Sequence, residues 1–183
     1  MSTTPHPPAT ADMEFPRWSE MLHDRSHVVI RPINKHDKEA ERAFIEGLSA
    51  EARRYRFLGQ IRSPSERMID EFTDLDPAHE AAFVAVIPDD GRERIVGVSR
   101  YSTDPKGENC ECAVTVSDEW QNKGLGTLLM KHLIEVAKAR GIHKMTSIDS
   151  ADNIQMADLA RHLGFRSRVD PDDAGQVIHE LDL

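Results

Sequence analysis

The chain has 183 residues, of which 39% are hydrophobic, and carries a formal net charge of −9. This length suits a single domain, and the apolar content allows a sizeable core. The acidic balance and the lack of a dense run of Lys and Arg argue against binding to nucleic acid. No apolar run approaches the length that spans a bilayer, so we expect a cytoplasmic protein that does not bind membranes.

Residues 1–26 are predicted to form a flexible leader. Its prolines at positions 5, 7, 8 and 16 stand among Ser, Thr and Ala, a composition that opposes regular structure. No basic stretch followed by an apolar run occurs there, so the segment does not match a signal peptide. The remaining residues, 27–183, are expected to form one domain.

Strand and helix patterns follow the leader in a regular order. In chain order they predict a strand at 28–32, helices at 37–47 and 50–57, and a hairpin of strands at 82–87 and 94–101. The hairpin turn is Asp89-Asp90-Gly91, because Asp-Gly is a strong hairpin signal.

The most informative segment is 113–129, with the sequence AVTVSDEWQNKGLGTLL. Val114 and Val116 alternate with small or polar residues as in a strand, and the apolar residues from Leu125 onward fall on one face of a helix. Between strand and helix lies the turn 121–126, QNKGLG. Its two glycines let backbone N–H groups converge, and with the positive end of the helix they favour a bound phosphate.

Two familiar phosphate motifs do not fit this turn. A Rossmann fingerprint needs a third glycine where the chain has Leu129, and an acidic residue about twenty positions on, where Lys144 and Met145 stand. A P-loop needs Gly-Lys followed by Ser or Thr, and the sequence has no such tripeptide. The turn is therefore described by the spacing Gln-x-x-Gly-x-Gly, which neither motif explains.

This spacing resembles the pyrophosphate-binding segment of the GNAT superfamily of N-acetyltransferases. Ile95-Val96-Gly97 resembles the family's third strand, and 153–165, NIQMADLARHLGF, resembles its late helix. Gly47-Leu48-Ser49 followed by RRYRF at 53–57 is similar to the acetyltransferase domain of bacterial protein-lysine acetyltransferases. The resemblance covers 28–183 and implies an α/β GNAT fold, with a mixed, mostly antiparallel sheet of about six to seven strands flanked by about four helices.

The resemblance implies acetyl-CoA as the acyl donor. Backbone amides of the family's fourth strand would hold the pantetheine arm and polarise the thioester oxygen. Asn153 would reach the same arm, although its position is equally typical of a helix N-cap. The residues implied in cofactor binding are Val114, Thr115, Val116, Gln121, Asn122, Lys123, Gly124, Leu125, Gly126, Thr127 and Asn153. No metal is expected, because the histidines are scattered without ligand spacing.

The resemblance implies Glu111 as the catalytic base, because the protein-lysine acetyltransferases have a Glu in this role within the motif Glu-x-Ala-Val. A base is needed since an alkyl amine is mostly protonated at neutral pH. Strand alternation places Glu111 opposite Cys110 and Cys112, which we expect to be buried, reduced thiols. The alternative is a solvated or ion-paired glutamate at the start of a strand.

One position departs from many GNAT enzymes, which carry a Tyr in the late helix as the acid for the departing thiolate. The matching residue here is Ala160. The protein-lysine subgroup tends to lack this Tyr too, and a thiol is acidic enough to leave without an acid.

The resemblance predicts acetyl transfer to a primary amine, with a protein lysine as the first choice of acceptor. A small amine such as a polyamine or amino sugar is the alternative acceptor. A non-catalytic acyl-CoA sensor is the alternative from another class of protein. The acceptor site is expected among residues 53–59, 74–79 and 171–175, and the chain is expected to be a monomer or a homodimer.

Overall fold

The structure, a computed structural model, describes residues 16–58 and 63–183. Within these residues the strands are β1 (Trp18–Met21), β2 (His27–Pro32), β3 (Glu80–Asp89), β4 (Arg92–Thr103), β5 (Asn109–Val116), β6 (Lys144–Ser150), β7 (Arg166–Val169) and β8 (Gln176–Asp182). The α-helices of the same part of the chain are α1 (Lys38–Gly47), α2 (Ala50–Phe57), α3 (Glu66–Thr73), α4 (Leu125–Ala139) and α5 (Ile154–Leu163).

The strands form one sheet in the order β1-β2-β3-β4-β5-β6-β8-β7. Neighbouring strands are antiparallel except for β5 and β6, which are parallel. The parallel pair is joined through α4, the type of crossover that parallel strands require. The predicted mixed sheet is confirmed, with eight strands in the described residues rather than six or seven.

Helices cover both faces of the sheet. Leu125, Leu129, Leu133 and Ala137 recur every fourth residue along α4, and all four are buried in the core on one face. This is the helical stripe that the sequence predicted. A second core on the other face is built by the buried side chains Phe44 and Ile45 of α1 and Ile69 of α3.

The ordered structure begins earlier than predicted. Trp18–Met21 pair with β2, and the Trp18 ring stacks on His132 of α4 with 3.8 Å between centroids. Glu20 Oε1 lies 2.7 Å from His132 Nε2. The prediction of a flexible leader is therefore wrong from Trp18 onward, because strand pairing and a stacked indole hold this stretch. Its first part, residues 1–15, lies outside the described residues.

Strands β5 and β6 pair over only three positions. The ladder joins Asn109 to Lys144, Cys110 to Met145 and Glu111 to Thr146. Beyond it, β5 continues beside β4 as far as Val116, and β6 continues beside β8 as far as Ser150. The facing edges of β5 and β6 therefore separate.

Both cysteines are buried free thiols, as predicted. Burial raises the pKa of Cys110 to about 12 and the pKa of Cys112 well above its ordinary value, so neither is a thiolate at neutral pH. Over residues 16–58 and 63–183, no three His, Cys, Asp or Glu side chains group as metal ligands, and no helix is long and apolar enough to cross a membrane.

Candidate active site

A cleft of about 380 Å³ opens where β5 and β6 separate. Residues of α2, β5, β6 and α5 line it, together with the turn that leads into α4. Ten of the eleven residues implied in cofactor binding lie on its wall, and Lys123 is the exception. The structure therefore brings the predicted strand, turn and helix residues together in one site.

Strand β5 contributes its free edge to the cleft from Ala113 to Val116. The opposite edge of the same residues is paired with β4. Gln121 fixes the start of the glycine turn to the end of the strand, because its Nε2 donates a hydrogen bond of 3.2 Å to Val116 O. A strand edge without a partner can pair with an extended chain that carries amide groups.

The turn between β5 and α4 is shaped for an anion. Asn122 and Gly124 have left-handed backbone angles, with φ of +61° and +85°. The N–H of Leu128 makes the first bond within the helix, to Gly124 O at 3.2 Å. The preceding N–H groups of Leu125, Gly126 and Thr127 therefore have no partner one turn back and sit at the positive end of the helix.

The two glycines of this turn differ in what they require. A Cβ on Gly124 would lie 2.7 Å from His23 Nε2, and its positive φ already disfavours other residues. A Cβ on Gly126 would lie 3.4 Å from Leu159 Cδ2, which is ordinary contact. Gly124 is thus fixed by its backbone and its neighbour, whereas position 126 has room for a small side chain.

Lys123 does not line the cleft and is held by the segment that follows β1. Its Nζ lies 2.9 Å from Asp24 Oδ2 and 4.6 Å from the centroid of the Trp120 ring. Hydrogen bonds from Ser26 and Lys123 hold the pKa of Asp24 well below its usual range. The His23 N–H also donates to Lys123 O at 3.0 Å. This brace, in which Lys123 is paired with Asp24, has no signal in the sequence.

Asn153 caps α5, since its Oδ1 accepts a hydrogen bond of 3.1 Å from the Met156 N–H. The same residue lines the cleft. Its capping role is confirmed, and its contact with pantetheine stays a prediction.

Glu111 lies at the last β5–β6 pair, opposite Thr146, with its side chain exposed. Its neighbours Cys110 and Cys112 are buried on the other face, as strand alternation predicted. The cleft wall along β5 begins two residues further on, at Ala113, so Glu111 is not part of the wall. Two strand residues span about 7 Å, a distance that a water molecule can bridge from the carboxylate. The catalytic role of Glu111 stays a prediction.

Asp149 of β6 is a candidate that the sequence analysis missed. It lines the cleft, accepts a hydrogen bond of 2.5 Å from Ser147 Oγ, and lies 3.8 Å from His179 Nε2 on β8. Burial raises the pKa of Asp149, although the Ser147 hydrogen bond and His179 oppose that shift. A signal was available, because Asp149 shares its strand face with the buried Met145 and Ser147, where a core residue is expected.

Cationic groups lie on the α2 side of the cleft. Arg56 is part of the wall, and its Cζ lies 5.4 Å from the centroid of the Phe72 ring. The Cζ of Arg100 lies 4.6 Å from the same ring, and its Nη2 lies 3.6 Å from Oε1 of the buried Glu41. Burial and repulsion from Arg100 lower the pKa of Arg56 to about 10. Two guanidinium groups thus share one carboxylate, which leaves a positive excess beside the cleft.

Of the three segments expected to build the acceptor site, one reaches the cleft. Tyr55 and Arg56 of α2 line it, whereas Asp74 and Leu75 line a separate cavity. The turn at 171–175 is not among the residues of the cleft wall. Residues 59–62 lie outside the described part of the chain.

The family's late-helix tyrosine has no counterpart in α5, where Ala160 is fully buried. Tyr101 is buried away from the cleft and accepts a hydrogen bond of 2.9 Å from Arg140 Nη1. Tyr55 lines the cleft from the α2 side, and its hydroxyl donates to Asp152 O at 3.3 Å. No tyrosine of the described residues therefore stands at the family's usual position for the acid.

Comparisons with known proteins agree with this site. The acetyltransferase (GNAT) family profile matches residues 45–165. A Pseudomonas aeruginosa protein named acetyltransferase PA5475 is 47% identical over 175 residues, which cover 96% of this chain and 94% of that protein. The crystal structure of the GNAT domain of S. lividans PAT is similar with a TM-score of 0.83 and 25% identity, covering 91% of this chain and 97% of that one.

A fold likeness extends to yncA from Salmonella typhimurium, whose structure contains its cofactor acetyl-CoA. The TM-score is 0.63 at 20% identity, over 86% of this chain and 95% of that one. The chain belongs to the GNAT family of acetyltransferases. The predicted GNAT fold and acetyltransferase class are thereby confirmed.

Proposed function

We propose that this protein transfers the acetyl group of acetyl-CoA to a primary amine, with a protein lysine side chain as the acceptor. The observation that carries the proposal is the cleft at the β5–β6 separation, which ends at the turn 121–126 before α4, called here the anion-binding turn because we propose that it holds the pyrophosphate. The free strand edge and the free helix N–H groups match the two chemical parts of the donor, an extended amide arm and a pyrophosphate.

The residues of the cleft would divide the work of holding acetyl-CoA. Backbone groups of 114–116 would pair with the pantetheine arm, and the amides of Gly124, Leu125 and Gly126 would face the pyrophosphate. Gln121 would keep the strand end and the turn in register through its bond to Val116. When bound, acetyl-CoA supplies an activated thioester carbonyl next to the strand edge.

Glu111 would take the proton that the amine must lose before it attacks. Its side chain shares a face of β5 with that of Ala113, since side chains two residues apart on a strand point the same way. The residues directly opposite them on β4, Ser102 and Arg100, lie on that face too. Glu111 therefore lies on the α2 side of the sheet, where Arg56 also lies. An exposed carboxylate at this place can pass the proton to bulk water.

A protein lysine is favoured because the segments 47–57 and 121–129 resemble the acetyltransferase domain of bacterial protein-lysine acetyltransferases. The net charge of −9 also favours a cationic acceptor, although an acidic surface serves solubility as well.

A small amine that carries an acidic group is a second candidate acceptor. The observation that favours it is the positive excess of Arg56 and Arg100, since guanidinium groups bind carboxylates and repel free ammonium. Arg56→Ala would then raise KM for such an amine and leave transfer to protein lysines unchanged.

The deciding experiment measures thiol release from acetyl-CoA against a panel of free amines, acidic amino acids and lysine-bearing proteins. Release with lysine-bearing proteins supports the first proposal, and release with acidic small amines alone supports the second. Tight binding of acetyl-CoA without release with any amine would identify an acyl-CoA sensor. The absence of both binding and release would overturn the proposal altogether.

A further inference from the structure

The wall of the cleft opposite α2 carries a half-buried acidic group, Asp149, beside two polar side chains of the neighbouring strands. Asp149 lines the cleft, and the ring of His179 lies behind it, with Nε2 3.8 Å from Asp149 Oδ2. His179 is only 2% exposed. Its Nδ1 lies 2.6 Å from Ser167 Oγ, and Ser167 is exposed on β7. Three polar side chains on adjacent strands thus lie in a row from the cleft to the surface, with a hydrogen bond between His179 and Ser167 and a gap of 3.8 Å between His179 and Asp149.

The surroundings of Asp149 favour its protonated form. Burial raises the pKa of Asp149. Burial also lowers the pKa of His179, although the charge of Asp149 acts to raise it. From β5, Cys112 also faces Asp149, and its thiol stays neutral because burial raises its pKa. Ser147 Oγ hydrogen bonds to one carboxyl oxygen, Oδ2 of Asp149. The hydrogen bond from Ser147 therefore fixes the position of the carboxyl group at the cleft, while burial shifts its proton equilibrium toward the protonated form.

We propose that Asp149 donates the proton to the sulfur that leaves when the acetyl group is transferred, and that His179 and Ser167 return a proton to it from solvent. This assignment rests on the proposed acetyl transfer. It supplies the acid that Ala160 cannot provide. Asp149 would be a catalytic residue, and His179 a positioning residue that acts through it.

In this step the amine nitrogen bonds to the thioester carbonyl carbon and the carbon–sulfur bond breaks. Its electron pair stays on sulfur, and the carboxyl proton of Asp149 goes to that sulfur. A free thiol and the Asp149 carboxylate result. The amine's own proton leaves on the other side of the sheet, through Glu111 or water. His179 passes a proton from the Ser167 side to the carboxylate, which restores the acid.

Asp149→Asn tests the chemical role, because the amide keeps the size of the side chain and an acceptor for Ser147 but has no acidic proton. We expect kcat to fall about 10²-fold with unchanged acetyl-CoA affinity, at the lower end for an acid because a thiol leaves readily. In the wild type the rate should fall at high pH, because the acid loses its proton. In the variant this fall should be absent. Asp182→Asn is the matched control, since Asp182 is an exposed carboxylate on β8 that pairs with Arg166 at 2.9 Å and lies outside the cleft wall. It should keep the wild-type rate.

A second measurement does not depend on turnover. The carboxyl carbon of Asp149 is followed by NMR, assigned by its loss in Asp149→Asn. Coenzyme A should shift this signal and its titration, because the thiol end reaches Asp149. Adenosine 3′,5′-bisphosphate, which lacks the pantetheine arm, should leave the signal in place. An unmoved signal with coenzyme A would overturn the assignment.

The two measurements separate the two proposals. If the wild-type protein transfers acetyl and Asp149→Asn does so at the same rate, the assignment of Asp149 fails while the proposed function stands. If Tyr55→Phe loses the rate instead, Tyr55 is the acid and the assignment of Asp149 fails as well. If no amine accepts acetyl, the proposed function fails on its own test, and the assignment as an acid fails with it.

Discussion

At the scale of single residues, Glu111 is the side chain on which the proposed proton removal depends. Glu111→Gln is expected to lower kcat/KM by roughly 10²- to 10⁴-fold at neutral pH and to leave acetyl-CoA affinity unchanged. The loss should shrink at high pH, because the amine then arrives without its extra proton. The measurement is the pH profile of kcat/KM for both proteins with one accepted amine, together with their melting temperatures.

The control for this substitution is Glu108→Gln, which removes an equally exposed carboxylate just before β5. It should behave as the wild type. A wild-type rate for Glu111→Gln at neutral pH would remove Glu111 from catalysis. A lower melting temperature with a small, pH-independent loss of rate would identify a structural glutamate instead.

Gly126 allows a cleaner test of the anion-binding turn than Gly124 does. Gly126→Ala adds only a Cβ at ordinary contact distance from Leu159, so binding of acetyl-CoA should change little. Gly126→Asp places a carboxylate at the helix end and should abolish binding by repelling the pyrophosphate, while the same charge is compatible with the helix N-terminus. Calorimetric titration of both folded variants is the measurement. Equal affinities for the two would argue that the pyrophosphate binds elsewhere.

Asp149 is expected to reduce stability at neutral pH in return for its place in the cleft. Its folded pKa lies above the ordinary 3.8, so its contribution is fully present below about pH 4 and is lost as pH rises through the folded pKa. Asp149→Asn does not titrate. The variant should therefore melt at a higher temperature than the wild type at pH 8, and the difference should disappear near pH 3.5. Scanning calorimetry at both pH values measures this, and a less stable variant at pH 8 would contradict it.

At the scale of the elements, β1 is held by its ladder with β2 and by the indole of Trp18. Trp18→Ala removes the stack on His132 and the edge contact with Phe83, whose ring centroid lies 5.3 Å away. We expect the free energy of unfolding to fall by about 2 kcal/mol, less than for a fully buried Trp because Trp18 is partly exposed. Ser19→Ala, an exposed position of the same strand, should change stability little. Urea unfolding of both variants is the measurement, and equal stabilities would show that β1 is held by its ladder alone.

The strand-turn-helix unit around 113–139 was predictable because its signals are local. Alternation, two glycines and a four-residue apolar stripe all lie within one segment. Strand β1 was not predictable, because four residues next to a proline carry no clear pattern. His132, on which Trp18 stacks, lies more than a hundred positions away. The strand face of Asp149 was readable locally, but its neighbour His179 was not, because His179 lies on another strand.

At the scale of the whole molecule, the sheet consists of two parts that share a short ladder. Strands β1 to β5 and strands β6 to β8 meet only through the three pairs that end at Glu111 and Thr146. A donor that pairs with the free edge of β5 should protect the amides of 113–116 from hydrogen exchange. Exchange measured by mass spectrometry with and without coenzyme A tests this. Unchanged exchange at 113–116 with saturating coenzyme A would contradict the strand-like mode of binding.

The brace between Asp24 and Lys123 makes the N-terminal strand and the donor site two ends of one linkage. Coupling between two binding equilibria is reciprocal. If a change in how β1 is attached alters the affinity for acetyl-CoA, then acetyl-CoA must alter the free energy of that attachment by the same amount. A protein or modification that acts on the outer surface of β1 would thereby change binding at the anion-binding turn without entering the cleft. If acetyl-CoA binds at this turn as proposed, the attachment of the first strand would influence its affinity.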